Sequence, residues 1–196
     1  MTNSGSGARS GARSRALAAV LAGTLACGSA TDPIANLDTV AYASAVFALN
    51  GTPAGAATAI NTPTAATVRT DIGYAFDVAF DLDATGRPVI LTQRMVGNPV
   101  GSTGHQVSLQ AVSGAFGTLA EAPRDGWSVD SILTVNVGQV VAVRAGASAC
   151  AFFISPYMYS KMVVDSVNVS QRRLWLSLVT DPNCGFRSFA TGRPTH

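Results

Sequence analysis

The sequence predicts an all-β fold, an antiparallel β-sandwich or barrel-like single domain that follows a short apolar N-terminal segment. Short stretches with apolar residues at every second position recur between turns rich in Gly, Pro and Asp, which is typical of strands. Beyond residue 26, no stretch sustains the 3.6-residue period of an amphipathic helix. The 170 residues that follow residue 26 are enough for one domain with a sizeable core.

The first half of the domain contains the clearest strand pattern. Residues 72–82 alternate aromatic or aliphatic residues with small or acidic ones, which predicts one long amphipathic strand with its aromatics on one face. Residues 83–87 predict a turn, and residues 88–96 a second strand. Residues 37–49 are apolar on both sides, which fits a buried strand or a helix. Residues 54–67 predict an irregular or edge strand.

The second half predicts five further strands. Residues 105–112 and 129–136 alternate, and residues 140–143 form a dense apolar run. Only three residues separate the two final alternating stretches, 161–169 and 173–179, a spacing that predicts a hairpin. Residues 113–127 predict a loop.

Residues 1–26 are organised like an export signal. Arg9, Arg13 and Arg15 are the only charged residues before the apolar run 16–26, in the order of an n-region and an h-region. This run is about half of the roughly 20 apolar residues that a permanent membrane helix needs. We therefore expect an exported protein and not a membrane-spanning one.

The end of this segment, Leu25-Ala26-Cys27-Gly28, resembles the box that precedes the modified cysteine in bacterial lipoprotein precursors. Thr24 stands where that family prefers leucine. The resemblance implies that residues 1–26 are removed and that Cys27 becomes a lipid-bearing N-terminus. The residues after Cys27 are small and polar, which suits a tether, so we predict a lipidated cysteine and tether over 27–36 and, from the strand patterns, a β-domain over 37–196.

The same resemblance implies a location. Ser29, two residues after Cys27, favours sorting to the outer membrane by the habit of that family. Lipid attachment is effective because each buried methylene contributes ~0.8 kcal/mol and the modified cysteine carries several chains. The alternative is ordinary cleavage near Gly28 or Ala30, which would give a soluble periplasmic or secreted protein.

Charge excludes a nucleic-acid partner. The chain has 13 basic and 11 acidic residues. Because three of the basic residues lie in the signal, the remaining chain has ten basic and 11 acidic residues and a net charge of −1. Neither a basic stripe nor a polybasic run remains for nucleic acid or for an anionic membrane surface.

With Cys27 assigned to lipid, Cys150 and Cys184 remain as a pair in an oxidising compartment, and we predict a disulfide between them. Such a bridge would stabilise the fold by about 3.8 kcal/mol in the chain-entropy model. The alternative is two buried free thiols.

The C-terminal strands carry a second resemblance. Residues 137–144, 159–161 and the final hairpin are similar to the C-terminal hairpins of haem-binding envelope lipoproteins of the HmuY type. That family holds haem with a pair of histidines, and this chain offers His105 and His196. The resemblance implies a carrier of haem or of another hydrophobic ligand.

Candidate sites are few, and none predicts a catalytic residue or a cofactor. The carboxylates of Asp77, Asp81 and Asp83 form a weak candidate for a calcium site, with a solvated strand face as the alternative. Glu121 and Asp125 flank a loop that contains a proline. Two carboxylates are the groups that glycosidases use, but the sequence does not indicate that these two lie at the required separation, and solvation in the loop is the alternative. In the stretch 102–105, a hydroxyl lies near the imidazole of His105, but adjacency in sequence does not establish triad geometry.

The densest aromatic patch is a candidate ligand or partner surface if it is exposed, and otherwise core packed around the disulfide. Its residues are Phe152, Phe153, Tyr157, Met158 and Tyr159. Trp127 and Trp175 are predicted to belong to the core.

Together these observations predict a non-enzymatic lipoprotein of the bacterial cell envelope that acts as a surface binding, adhesion or scaffold module. Its predicted partners are a membrane, through the lipid anchor, and envelope proteins or a small ligand. The alternative function is a carrier of a small ligand such as haem or a hydrophobe. A hydrolytic enzyme is the third alternative.

Overall fold

A computed structural model of the chain describes residues 34–73, 75–97, 104–153 and 155–195. The predicted export signal, Cys27 and most of the predicted tether lie outside these residues. The described residues all belong to one compact unit. None of the helices in them has the length and apolar character needed to cross a membrane.

Two antiparallel sheets pack together, which confirms the predicted all-β, sandwich-like fold. The strands are β1 (Val40–Phe47), β2 (Ala59–Asn61), β3 (Ala66–Val68), β4 (Val78–Leu82), β5 (Pro88–Thr92), β6 (Val107–Val112), β7 (Ser128–Val129), β8 (Ile132–Thr134), β9 (Val140–Gly146), β10 (Tyr157–Asn168) and β11 (Arg173–Asp181). One sheet has the order β1-β11-β10-β9-β6-β7 and the other the order β3-β2-β4-β5-β8. A helical turn, α1 (Gln93–Val96), and two 3-10 turns complete the elements.

The main core lies between the sheets and follows the period of two. In β11, Leu174, Leu176 and Leu178 are buried, whereas the residues between them are half-buried on the other face. They meet Phe80 of β4 and Ile90 of β5 in one apolar cluster. Burying each such side chain contributes roughly 1.5–3 kcal/mol, so this cluster is the main source of stability.

The C-terminal hairpin forms as its spacing predicts. Strands β10 and β11 pair antiparallel from Tyr159 opposite Asp181 to Asn168 opposite Arg173, with one bulge between Val164 and Ser166. The hairpin holds the centre of the larger sheet because β11 also pairs with β1 and β10 with β9.

The predicted disulfide between Cys150 and Cys184 is present, with Cα atoms 5.4 Å apart. Cys150 is fully buried in the 3-10 turn that follows β9, and Cys184 lies three residues after the end of β11. The bond therefore ties the chain on both sides of the hairpin together at the end of the domain where β10 begins.

Three of the strand predictions need correction. Among the described residues of the stretch 72–82, only Val78–Leu82 form a strand, and Ile72 is exposed. The stretch 88–96 leaves the extended conformation after Thr92 and forms α1. The stretch 129–136 is not one strand: β7 joins the larger sheet and β8 the smaller. Asp130, with φ at 43°, turns the chain from one sheet to the other.

The outer face of the larger sheet is covered by loops. Ala122, Tyr159 and Phe189 form a small buried cluster there, with Trp127 packed against it. The ammonium group of Lys161, a residue that is 4% exposed, donates to the carbonyl oxygens of Phe116 and Leu119 at 2.8 Å. Burial lowers the pKa of this lysine.

Candidate functional site

A cleft of about 340 Å³ opens at one end of the sandwich, where the two sheets meet. We call it the His105 cleft. Its polar lining comes from Asn61, Thr64, Asp77, His105 and Ser148. Its apolar lining comes from Pro63, Ala75, Ala147, Ala149 and Met158.

Strand ends place these side chains. Asp77 immediately precedes β4 in the smaller sheet, and His105 lies two residues before β6 in the larger one. On the far wall, Met158 is the second residue of β10 and pairs with Ala145 of β9. The two sheets thus contribute opposite walls, and the cleft depends on their packing.

Asp77 is the buried centre of the cleft. Its side chain is 3% exposed, and both carboxylate oxygens accept hydrogen bonds. The backbone N–H and the hydroxyl of Thr62 donate to Oδ2 at 2.5 and 2.7 Å. The imidazole Nε2 of His105 makes a short hydrogen bond to Oδ1. Burying a carboxylate is costly unless it is paired in this way, so these partners are needed to keep Asp77 in place.

His105 forms the solvent-facing half of the pair, with 31% of its side chain exposed. Its backbone N–H donates to the side-chain oxygen of Gln93 at 3.0 Å, while the backbone N–H of Gln93 donates to the carbonyl of Asp77 at 2.9 Å. This loop of bonds fixes both residues of the pair. With Nε2 facing the carboxylate, Nδ1 is the ring nitrogen left to bind a ligand.

Gly146 allows the close approach of the neighbouring chain to the cleft wall. Its N–H donates to the carbonyl of Gln106 at 2.8 Å. A Cβ at this position would lie 3.3 Å from that carbonyl oxygen and 4.0 Å from the Cβ of His105. A larger residue here would push the His105 segment away.

The predicted acidic cluster is not brought together as a metal site. Asp77 bonds to His105, Asp81 pairs with Arg172 at 2.8 Å, and Asp83 pairs with Arg87 at 2.8 Å. The described part of the chain contains no group of three His, Cys, Asp or Glu side chains that could hold a metal ion.

The alternative of a solvated face is wrong for Asp77, which is buried. Asp83 does form the predicted turn, since it accepts from the backbone and hydroxyl of Thr85 and from the backbone of Arg87. These hydrogen bonds hold the pKa of Asp83 well below its usual range, and the bond from the Thr85 hydroxyl makes the largest contribution.

The predicted aromatic patch is divided by the fold. Phe152 and Phe153 are exposed in the turn after Cys150. Tyr157 and Tyr159 lie on the outer face of the larger sheet, where the guanidinium of Arg144 stacks 4.6 Å from the ring centroid of Tyr157. Met158, between them in β10, points the other way and lines the His105 cleft.

The remaining candidates are dispersed. Glu121 is exposed and lies 3.7 Å from Arg187, and Asp125 is exposed. Trp127 and Trp175 are half-buried beneath arginine side chains. Ser102 and His196 lie outside the described residues.

Sequence reasoning did not find the pairing of Asp77 with His105, which are 28 residues apart. In the sequence, Asp77 belongs to a row of acidic residues and His105 stands near a hydroxyl, and neither pattern indicates the other residue as a partner. A usable signal was the position of Asp77 between Phe76 and Val78, because an acid inside a strongly apolar stretch requires a partner if it is buried.

Comparison of the chain with family models, curated proteins and solved structures found no match.

Proposed function

We propose that the protein is a non-enzymatic binding module of the bacterial cell envelope, attached to a membrane through lipid on Cys27. Its ligand site is the His105 cleft. The observation that carries the proposal is the exposed edge of an imidazole that a buried carboxylate orients toward an open, partly apolar cleft.

The chemistry of the cleft indicates the class of ligand. Small-molecule sites combine a mainly apolar lining with a few polar groups in fixed positions. Here the imidazole of His105 supplies the polar group, and Met158 with the proline and alanines supplies the apolar surface. At about 340 Å³ the cleft suits a small molecule with one hydrogen-bonding head group and an apolar body.

The hydrogen bond between His105 and the buried carboxylate of Asp77 supports a binding role, because it fixes the orientation of the imidazole. A ring held in this way can offer a ligand one hydrogen bond in a fixed direction.

The envelope location is supported by sequence features and by the disulfide. The basic and apolar order of residues 1–26 is typical of an export signal. The bond between Cys150 and Cys184 is typical of proteins that fold in an oxidising compartment. The resemblance of residues 25–28 to a lipoprotein box supports attachment at Cys27.

The ligand site is tested by NMR of the imidazole protons. The chain has two histidines, so a His105→Gln variant assigns the signals without ambiguity. The probes are benzoate, benzamide, butyrate and butyramide. We expect at least one to shift the His105 signals saturably, and Met158→Lys, which places a charged chain in the cleft, to abolish that shift.

The matched control is Val169→Lys, at an exposed position in the turn between β10 and β11, which we call the far hairpin. This variant should leave the shift unchanged. If all four probes leave the His105 signals in place, the cleft is not a site for this class of ligand.

The anchor is tested separately by intact mass of the protein purified from its native membrane. A lipid-sized increment that the Cys27→Ser variant loses is the expected result. A chain that begins beyond Cys27 without added mass would contradict attachment.

A further inference from the structure

We infer that the end of the domain at which the chain enters lies on the lipid bilayer and inserts an apolar surface into it. This inference rests on the proposed lipid at Cys27. We call this end the entry pole and define it by Ile34, Leu37, Phe152 and Phe153. The side chain of Phe152 is fully exposed, and Ile34, Phe153 and Leu37 are 85%, 54% and 53% exposed.

These residues form one surface although they come from distant parts of the sequence. Ile34, Leu37 and Phe153 line a shared groove of about 90 Å³ together with Cys184 and Phe186. Phe152 precedes Phe153 and follows the disulfide-bonded Cys150 by two residues. A concentration of exposed apolar side chains is characteristic of a surface that contacts a partner or a membrane.

Asn183 fixes the incoming chain to the entry pole. Its side-chain oxygen accepts from the backbone N–H groups of Asn36 and Leu37 at 2.9 and 3.0 Å. Its amide donates to the carbonyl of Leu37 at 2.8 Å. Asn183 is itself only 7% exposed, so these hydrogen bonds attach residues 36 and 37 to a buried side chain of the domain.

The length of the tether identifies the partner. Ile34 is seven residues along the chain from Cys27, and seven residues span at most about 25 Å when fully extended. Lipid on Cys27 therefore holds the bilayer close to the entry pole. The far hairpin at Asn168 and Arg173 lies at the other end of β10, whose 12 residues extend about 40 Å.

The charge distribution also favours the bilayer. All the residues that line the groove are uncharged. Two acidic residues of the entering chain flank the segment from Ile34 to Leu37: Asp32 precedes it in the sequence, and Asp38 follows it and lies 3.9 Å from Arg193. Because the lining of the groove itself is uncharged, its contact with a bilayer of neutral lipid buries no charge of the lining and should not depend on salt.

Photo-cross-linking tests the inference. The full-length protein is purified from its native membrane, with p-benzoylphenylalanine replacing either Phe152 or Val169, and is reconstituted into phosphatidylcholine vesicles. Val169 is the matched control, since it is 56% exposed and lies in the far hairpin. We expect about tenfold more lipid adduct at position 152 than at 169, with the ratio unchanged between low and high salt.

Intact mass of the same samples separates the two possible failures. Lipid on Cys27 together with equal adduct yields at both positions would overturn the docking and leave the anchor intact. Protein–protein adducts at position 152 in place of lipid adducts would also overturn it and assign the pole to a second copy. Absence of lipid on Cys27 would overturn both the anchor and this inference.

Discussion

Asp77 and Asp181 are both almost completely buried, at 2% and 0% exposure, but they are stabilised differently. Both carboxylate oxygens of Asp77 accept hydrogen bonds, and one donor is an imidazole. In Asp181, Oδ1 accepts from the backbone and side chain of Asn183 at 2.9 and 2.8 Å. Its other oxygen is buried and has no hydrogen-bond partner among the residues that the structure describes.

The difference teaches what each carboxylate does. Burial raises the pKa of Asp181, and the hydrogen bonds from Asn183 only partly oppose that shift. The buried carboxylate of Asp181 therefore lowers the stability of the fold at the end of β11. Asp77 is fully compensated, and its imidazole partner faces the cleft, so the same kind of group supports a binding site there.

The largest expected effect is that of Asp77→Ala. The substitution leaves the N–H and hydroxyl of Thr62 and the ring of His105 without their acceptor, and removing one partner of a buried pair typically costs about 3–5 kcal/mol. Urea unfolding of the oxidised protein measures the loss. Asp71→Ala, which removes an exposed partner of Arg69, is the control and should leave the unfolding midpoint unchanged. Equal effects of the two would show that Asp77 is not a buried pair.

Asn183→Ala should have the next largest effect, about 2–3 kcal/mol, because it removes four side-chain hydrogen bonds at once. It should also raise the pKa of Asp181 further. The control is Asn168→Ala at the end of β10, where the side-chain oxygen accepts from Ser170 and Gln171 in the exposed hairpin turn. The free energies of unfolding of both variants are compared. A decrease for Asn183→Ala no greater than that for Asn168→Ala would contradict a stabilising role of the Asn183 hydrogen bonds.

His105→Gln should cost about 1 kcal/mol, because glutamine retains an N–H donor for Asp77 and His105 is partly exposed. Its unfolding free energy, compared with that of Asp77→Ala, separates the contribution of the ring from that of the buried carboxylate. If the two losses are equal, the pair depends on the imidazole itself, contrary to the expectation.

The smallest expected effect is that of Asp181→Asn, which should raise the free energy of unfolding by about 1 kcal/mol at pH 7. Asparagine has nearly the same shape as aspartate but removes the buried charge. Folding raises the pKa of Asp181 above its ordinary 3.8, so the folded state binds this proton more tightly than the unfolded state. Stability from this group is therefore lost as the pH rises through the folded pKa.

The variant should consequently gain on the native chain as the pH rises from 4 to 7, as measured by urea unfolding at each pH. Asp38→Asn, at an exposed position, is the control. A stability difference that stays constant over this range would show that Asp181 does not titrate differently in the folded state.

The sequence was sufficient for features that depend on local pattern. Alternation in 173–179 predicted β11, and the three-residue spacing predicted its hairpin with β10. The cysteine count predicted the disulfide. The strand and its hairpin follow from the two-residue period of neighbouring residues, whereas the disulfide was predicted from the number of cysteines and the expected oxidising compartment.

Features that depend on distant residues were not predictable. Leu49, Val68 and Val96, from three separate segments, cover the outer side of β4 near Ala79. The sequence of β4 itself does not indicate which residues cover it. The left-handed backbone at Asp130 divides one alternating stretch between two sheets. The His105 cleft likewise exists only after both sheets have packed.

The length of β10 gives the domain a direction if Cys27 carries lipid as proposed. Tyr157 begins this strand beside the entry pole, where its carbonyl accepts from the N–H of Gly185 at 2.8 Å. If that end lies on the bilayer, the turn at 170–172 is held at the opposite end of the strand, about 40 Å away. An antibody against a peptide epitope inserted in this turn should therefore label the protein on intact membranes, whereas the same epitope inserted after Phe152 should be shielded.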